Sequence, residues 1–553
     1  SEDELLDAVD EAIAAQLLET RAGETIAFTH DKIREVLYHE LNPIRRRRLH
    51  QRIAEGLEAL RERGGRVAVE GRALHSREGG CLEQGCDDAM EAAADAATLF
   101  AYADSLRLYE RARECAEELG REHELPRVDE AMGEVWGLKG EFLPSADSYK
   151  RALDATDDPA EAVRLRCLIG EAYVTLGDAR ALPFVEEAKT ALDPETQPTE
   201  FVRATMIEAR FHHYNGQCRK AVDLLLDIVE PAESSGETTL AGWVYGFLAG
   251  AYQHLCEFET SRRWARRAVE LGQAKNSPNV ESVGHEFLME DAFMSGQSWH
   301  ECLEHAARHR ELAEKAHSSD RLAWNHLGDS FAKMMLGRLA EAEVSATQGL
   351  EIATGLGDER LAIFIGTWHA QTIAEAGRFD EATEHADRLV EWADTLGLNA
   401  GQLTSRHARA YVALLAGDHE TVLEHTRESD KLLEGSDVEV YPVWLAPIAC
   451  QALIATGQLD EAEQRLKTTL EATRRFDMPH WEAMSLKARG MLHAARGEEE
   501  AARKDLDAAI EIFEGLESRL ELARTLVLRG DDDDVTRARD LFQSSGAPLP
   551  ETS

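Results

Sequence analysis

Apolar residues recur along most of the chain at spacings of three and four, which is the pattern of amphipathic helices. In residues 361–376 such a run ends at Gly377, and a second run of the same kind fills residues 379–393. Glycine readily adopts the positive φ that ends a helix, so a glycine in this position predicts a tight turn between two helices. The predicted unit is therefore a helix hairpin.

The turn glycine returns about every 40 residues, and intervals of this size indicate stacked helical repeats. Where one glycine is missing, Cys256 stands at the middle of a doubled interval. A small residue usually follows five positions after the turn, which lets the paired helices approach closely. The turn glycines are Gly140, Gly177, Gly216, Gly296, Gly337, Gly377, Gly417, Gly457 and Gly497, and the small residues are Ala221, Ser261, Ala342, Ala382 and Ala462.

The turn pattern, a glycine followed by an aromatic residue or leucine and then a small residue, resembles that of tetratricopeptide (TPR) repeats, although their usual period is about 34. The predicted fold class is all-α, a right-handed superhelical solenoid of such hairpins. Residues 61–530 are predicted to form about eleven of them. Residues 531–553 open with four aspartates and are predicted to form a polar cap and tail.

Residues 1–60 do not carry the repeat; they predict a helix over 5–18 and a strand over 25–28. The segments 28–38 and 45–57 resemble STAND-type signalling ATPases related to the bacterial maltose-regulon activator. In that family an AAA-like ATPase module and a winged-helix domain precede a TPR array. The resemblance implies that residues 1–60 are the C-terminal part of a winged-helix domain with its connecting helix.

The same resemblance implies ATP or ADP as the cofactor of an ATPase module upstream. The 553 residues contain no G-x-x-x-x-G-K-[ST] phosphate loop and begin without Met, so we expect a fragment whose upstream neighbour binds the nucleotide. His30 and Asp31 match the His-Asp pair with which the family senses nucleotide phosphate, although Thr29 departs from the motif. The alternative is that Asp31 caps the helix that starts there.

Two further polar clusters favour structural roles over chemistry. The basic run 45–48 is interpreted as a solvated or docking helix face. His300, His305 and His309 fit neither H-E-x-x-H nor H-x-x-E-H spacing, and a Glu-His pair recurs at 384–385 and 424–425, which favours packing. We predict no metal site, and no catalytic constellation stands out.

The charge and cysteine content of the chain bear on its binding partners and on its cellular compartment. With 104 acidic and 61 basic residues the net charge is −43, which disfavours nucleic acid as a partner. A halophilic source with a salty cytoplasm and an ordinary acidic repeat surface both remain open. The eight cysteines are scattered without C-x-x-C, and the chain shows neither a secretory signal nor a membrane-spanning run. We therefore expect a cytoplasmic protein with reduced thiols.

In a TPR superhelix the first helix of each hairpin faces the concave groove, so two rows of first-helix residues are candidates for a ligand or partner site. One row is rich in Trp and Phe, and the other mixes charged, amide and aromatic side chains. The alternative is that the aromatic row is core between repeats. The candidates are Arg210, Trp243, Glu290, Trp324, Phe331, Phe364, Gln371, Tyr411, Trp444 and Gln451.

The function predicted from these features is a non-catalytic, effector-sensing TPR array of a STAND-type ATPase regulator. It would bind a protein, a peptide or a small molecule in its groove, and contact its own ATPase module. It would bias a closed ADP state against an open, homo-oligomeric one. The alternatives are a stand-alone TPR adaptor that binds partner peptides and the regulatory arm of a nucleotide cyclase.

Overall fold

A computed structural model describes residues 2–21, 25–63, 67, 69–99 and 101–549, so the end of the predicted tail, 550–553, lies outside the described residues. The chain forms two compact units, Ser1–Val135 and Trp136–Ser553. The boundary predicted after residue 60 falls inside the first unit.

The first unit opens with a helix, an antiparallel hairpin in which Leu18 pairs with Phe28, and further helices. The predicted strand 25–28 is present, whereas the predicted helix 5–18 ends at Ala14 because residues 18–21 pair as a strand. The elements are α1 (Glu2–Ala14), β1 (Leu18–Arg21), β2 (Thr25–Phe28), α2 (Asp31–Glu40), α3 (Pro43–Glu62), α4 (Val69–Gly79), α5 (Leu82–Thr98), α6 (Tyr102–Glu118), a 3-10 turn (Glu122–Glu124) and α7 (Leu125–Leu138), which crosses the unit boundary.

A small core joins α4, α5 and α6 through Ala73, Ala89 and Ala112, which are all buried. Beside it the buried Arg72 donates from Nε to Oδ1 of Asp88 at 2.9 Å, so the charge of each side chain is paired. Residues 2–62 form one helix, a β-hairpin and two more helices. This order alone does not identify a winged-helix domain, which stays a prediction.

The second unit is a stack of helix hairpins, as the repeat predicts. Ten hairpins run from α9 to α29, each formed by two consecutive long helices, with α13 an extra turn after α12. The helices are α8 (Phe142–Asp154), α9 (Pro159–Thr175), α10 (Ala181–Ala191), α11 (Pro198–Tyr214), α12 (Cys218–Asp227), α13 (Val229–Ser234), α14 (Thr238–His254), α15 (Phe258–Ala274), α16 (Pro278–Ser295), α17 (Trp299–Lys315), α18 (Ser319–Met335), α19 (Leu339–Leu356), α20 (Glu359–Glu375), α21 (Phe379–Leu396), α22 (Asn399–Ala416), α23 (His419–Leu432), α24 (Val440–Ala455), α25 (Leu459–Arg475), α26 (Pro479–Ala495), α27 (Glu499–Leu516), α28 (Arg519–Arg529) and α29 (Asp532–Ser545). The all-α repeat solenoid is confirmed for this unit.

The turn positions adopt the left-handed conformation that the repeat requires. Gly377, for example, has φ +80°, and each of the other turn glycines also has positive φ. Cys256, which replaces the glycine in one repeat, keeps φ at 55°. The five small residues after the turns are fully buried, so they allow the close helix contact expected of them.

Successive turns of the superhelix touch each other directly. Where a tight turn contacts a later link, the residues are 217 to 222 positions apart, from Cys256 to Met478 and from Trp299 to Ser518, for example. Contacts between first helices span fewer positions, 150 from Met294 to Trp444, for example. With repeats of about 40 residues, the superhelix therefore returns on itself after about five and a half repeats. The tight turns near residues 216, 256 and 296 then each lie against a link between two later repeats.

Asp437 stabilises one contact between two superhelical turns by capping a helix of the neighbouring turn. Helix α12 has no side-chain cap of its own at Gln217. The carboxylate of Asp437 accepts hydrogen bonds from the backbone N–H groups of Cys218 and Arg219, at 2.6 and 2.9 Å. Because the first N–H groups of a helix lack partners within the helix, Asp437 caps α12 from the next superhelical turn.

Two tryptophans from a later superhelical turn supply hydrogen-bond donors to the C-terminal end of α16. The indole N–H groups of Trp444 and Trp481 both donate to the carbonyl oxygen of Met294, at 3.2 and 3.1 Å, near the C-terminus of α16. Their rings stack with centroids 5.2 Å apart. The last carbonyls of a helix lack partners within the helix, so these donors stabilise the contact between superhelical turns. The surface along which successive superhelical turns touch, through Asp437, Trp299, Trp444 and Trp481, is called here the seam. Across the described ranges, no helix is long and apolar enough to cross a membrane.

Candidate functional site

The superhelix forms a half-open cavity of about 1020 Å³, called here the central cavity. It is formed mainly by first helices of successive hairpins, α9, α11, α14, α16, α18, α20, α22 and α24. Its walls are rich in aromatic side chains, among them Trp243, Phe247, Trp324, Phe364 and Trp368. Large apolar walls with a few convergent polar groups are typical of ligand-binding sites.

The aromatic side chains are arranged in pairs along the repeats. Trp243 stacks on Phe247 within α14, with ring centroids 5.4 Å apart. Trp324 of α18 meets Phe364 of α20 at 5.8 Å. These four side chains are only partly buried, so their faces remain available to a bound molecule.

Arginines at the starts of two first helices lie on these aromatic faces. The guanidinium of Arg321 lies 4.8 Å from the ring centroid of Trp243 and donates to Glu286 at 3.1 Å. Arg360 lies 5.6 Å from the centroid of Trp324, and one of its N–H groups donates to the hydroxyl of Tyr214 at 3.4 Å. Both arginines are thus fixed by a cation–π contact and a polar partner.

Arg210 completes this cationic side of the cavity. It forms an ion pair with Glu171 and lies 5.2 Å from the ring centroid of Phe247. Burial alone would raise the pKa of Tyr214, but the nearby Arg210 and Arg360 lower it below its ordinary value. The phenol therefore lies between two guanidinium groups, an environment that favours negative charge.

The opposite charge is concentrated on α16. Burial raises the pKa of Glu286 to about 7, even though Arg321 acts against this. Burial also raises the pKa of Glu290 well above its ordinary range, and the neighbouring Glu286 adds to this shift. Within the described parts of the chain, no residue forms a hydrogen bond or ion pair with Glu290.

Some buried nitrogen atoms on the cavity are also without a partner among the described residues. They are Nε of Arg210, Nε of Arg360 and Nδ1 of His213, whose Nε2 faces Nδ1 of His254 at 3.0 Å. Buried polar atoms of this kind normally find a hydrogen-bond partner. A bound molecule with acceptor atoms would supply one.

Six of the ten candidates from the sequence line the central cavity: Arg210, Trp243, Glu290, Trp324, Phe364 and Trp444. Trp444 is almost completely buried, because its indole is held at the seam. The structure thus brings together the charged and aromatic members of the two rows from α11 to α20.

The other four candidates do not line the cavity and lie in the core instead. The physical reason is that α24, α26 and α28 close over the inner face of the later repeats, where Arg524 of α28 forms an ion pair with Glu375 of α20. Phe331 packs on Trp368 at 4.4 Å, Gln371 bonds His407 at 3.3 Å, Tyr411 donates to Glu375, and Gln451 donates to the carbonyl of Pro447 at 3.1 Å.

The sequence rows missed Arg321, Arg360, Tyr214 and Glu286. The two arginines occupy the first turn of their helices, where a charged residue ordinarily indicates solvent exposure. Arg321 is nevertheless only 4% exposed. The available signal was the repeat itself, since both arginines stand about one helix length before a turn glycine.

His30 and Asp31 lie at the start of α2, and both are exposed. His30 is the N-cap residue but its side chain makes no capping bond, and Asp31 faces Arg34 at 3.7 Å. Two exposed side chains do not form a nucleotide cradle by themselves. Their role toward ATP or ADP stays a prediction that concerns a further module.

The histidine cluster of α17 is dispersed by the fold. His300 bonds Glu517 of the next superhelical turn at 2.9 Å, His305 faces His285 at 3.1 Å, and His309 is fully buried. The described residues contain no group of three or more His, Cys, Asp or Glu side chains placed to hold a metal ion. All eight cysteines are free thiols, and six of them are buried.

No family model matches the chain, and no curated protein matches it in sequence. Among solved structures, a Rap protein complexed with competence and sporulation factor is similar over 62% of this chain and 100% of its own, with 13% identity and a TM-score of 0.43. Cut9-Hcn1 of the APC/C is similar over 89% and 98%, with 13% identity and a TM-score of 0.45. A STAND protein with a tetratricopeptide repeat sensor from Pyrococcus horikoshii is similar over 76% and 57%, with 13% identity and a TM-score of 0.33.

Proposed function

We propose that the second unit is a non-catalytic sensor that binds a small effector in the central cavity, and that it serves a STAND-type ATPase regulator. The observation that supports binding is the cavity itself, about 1020 Å³ in volume, with aromatic walls and buried polar atoms that lack partners. A cavity of this composition is typical of a ligand site. The STAND role is supported by the sequence motifs of residues 28–57.

The contacts between superhelical turns beside the cavity favour an effector over an extended partner segment. A stand-alone adaptor would need an open groove along the array. Here contacts between successive turns, such as the capping of α12 by Asp437, restrict access from the sides. Binding that changes these contacts would alter the pitch of the superhelix, and an ATPase module could respond to that change.

Ligand screening by thermal shift on the full chain tests the proposal. A ligand at 100 times its Kd should stabilise the protein by about 2.7 kcal/mol and quench the fluorescence of cavity tryptophans. Trp324→Ala should abolish both effects because Trp324 lines the cavity. Trp392→Ala is the matched control, since Trp392 packs in a second-helix core away from the cavity. Equal binding by Trp324→Ala and wild type would refute the proposal.

A further inference from the structure

The carboxylates of the central cavity differ in how their charge is compensated. Most pair with an arginine or stand exposed where water solvates them. The pairs are Glu171 with Arg210, Glu286 with Arg321, Glu237 with Arg203 and Glu161 with Arg164, and the exposed ones include Glu200 and Asp320. Within the described ranges, Glu290 is the cavity carboxylate that is neither exposed nor paired.

Glu290 is partly buried, and a carboxylate in such a place destabilises a protein when its charged form loses part of its water without gaining a partner. Glu290 lies one helical turn from Glu286, so two acidic groups share this part of α16. The salt bridge of Glu286 to Arg321, 3.1 Å long, leaves that cation engaged. Arg360 is the other cation near Glu290, but it is engaged with Tyr214 and Asp358, so among the described residues Glu290 lacks an ion-pair partner within the cavity.

The aromatic walls fit the same kind of ligand. The π faces of Trp324 and Phe364 attract cations as well as apolar groups. An anionic ligand is disfavoured, because Arg210, Arg321 and Arg360 already pair with carboxylates that it would have to displace. The cavity lies at the upper end of the range for small-molecule sites, so it has room for a body larger than one amino acid.

We propose that the effector is a monocation with an apolar or aromatic body, and that its ammonium group pairs with Glu290. This inference rests on the proposed binding function of the central cavity. Nε of Arg360 and Nδ1 of His213 would bind acceptor atoms of the ligand body, for example amide carbonyls. The cation would thereby complete the one missing charge pair of the site.

A matched set of probes tests this without knowledge of the natural ligand. The full chain is incubated with a library of tripeptides built from Phe, Leu and Trp, each in three forms. These are the free amine with a C-terminal amide, the N-acetylated amide, and the N-acetylated acid, which carry average charges of about +0.7, 0 and −1 at pH 7.5. Bound tripeptides are separated by gel filtration and counted by mass spectrometry.

The cationic form should be enriched about tenfold over the neutral one, as expected for one charge-assisted hydrogen bond in a buried site. The Glu290→Gln variant should bind the cationic and neutral forms equally, and it should still bind the apolar tripeptides. Glu351→Gln is the control, because Glu351 is exposed on α19 and does not line the cavity. It should keep the wild-type preference.

The outcomes separate this inference from the function on which it rests. Equal retention of the three forms, or a preference that survives in Glu290→Gln, would overturn the monocation inference and leave the binding function standing. If no form is retained and none shifts the thermal midpoint, both are overturned.

Discussion

In residues 2–60 the side chains of Leu5, Leu6 and Ile44 are more than half exposed, whereas in the repeat array Trp299 is fully buried. Eleven of the 20 exposed large hydrophobic side chains in the described chain belong to residues 2–60. In the array, helix α24 is apolar all round and buries nearly every residue, because neighbouring repeats and another superhelical turn cover it. The array therefore obtains burial from its own repeats, and residues 2–60 do not.

The largest expected effect is the loss of a tryptophan at the seam between superhelical turns. Trp299→Ala removes a fully buried ring and the hydrogen bond from its indole to Ser518, which is 2.8 Å long. We expect it to lower the free energy of unfolding by about 3–5 kcal/mol. Urea unfolding followed by circular dichroism measures this.

Trp299→Phe is the graded control, since it keeps an aromatic ring against Phe331 and loses the N–H donor. It should fall between Trp299→Ala and wild type. A loss below about 1 kcal/mol for Trp299→Ala would mean that the seam adds little stability and that each repeat depends on its sequence neighbours alone.

The array also buries charge, and Glu290→Gln measures what that costs. Because the pKa of Glu290 is raised in the folded state, the folded protein binds its proton more tightly than the unfolded chain does. This contribution to stability is complete below the unfolded pKa and is lost as the pH rises through the folded pKa. Glutamine cannot ionise, so the variant should be more stable than wild type at pH 8, by about 1–3 kcal/mol, and no more stable at pH 4.

Thermal unfolding from pH 4 to pH 8 checks this, with Glu351→Gln as the control for a lost surface charge. A difference between Glu290→Gln and wild type that does not grow with pH would show that Glu290 is not unpaired. The titratable and charged groups around Glu290 are Glu286 on its own helix, Arg321 and Arg360 on the next first helices, Cys302 on α17 and Tyr441 on α24.

A smaller effect is expected from the cap that crosses the seam. Asp437→Ala removes the carboxylate that accepts the N–H groups of Cys218 and Arg219. We expect a loss of about 0.5–2 kcal/mol, the usual range for a helix cap. Asp380→Ala is the control, because Asp380 is exposed in the first turn of α21. Equal effects of the two variants would show that Asp437 stabilises the protein no more than an exposed surface carboxylate does.

The repeat could be predicted from the sequence, but the closure of the superhelix could not. Glycines with positive φ and small buried residues are local features, so the turns at Gly377 and even at Cys256 follow from residue type and spacing. Closure after about five and a half repeats depends on small rotations that add up from one repeat to the next. No residue pattern records that Trp444 and Trp481 will meet the carbonyl of Met294.

The closure of the superhelix also explains why only some residues of the candidate site could be predicted from the sequence. Arg210 and Glu290 could be found because they belong to a first-helix row that lines the cavity in the earlier repeats. Gln371 and Tyr411 occupy the same row, but later helices cover them and they are core. Arg360 was missed because its role depends on Tyr214, which lies 146 residues away in the chain.

The smallest expected effect concerns the exposed apolar residues of the first unit. Leu5→Ser with Leu6→Ser changes two side chains that are 66% and 56% exposed, so almost no buried contact is lost. We expect the free energy of unfolding to change by less than about 0.5 kcal/mol, against several kcal/mol for Trp299→Ala. Solubility should rise at the same time, since exposed apolar side chains favour association. Urea unfolding and analytical ultracentrifugation measure the two properties, and a clear loss of stability would show that α1 is packed in solution as firmly as the array.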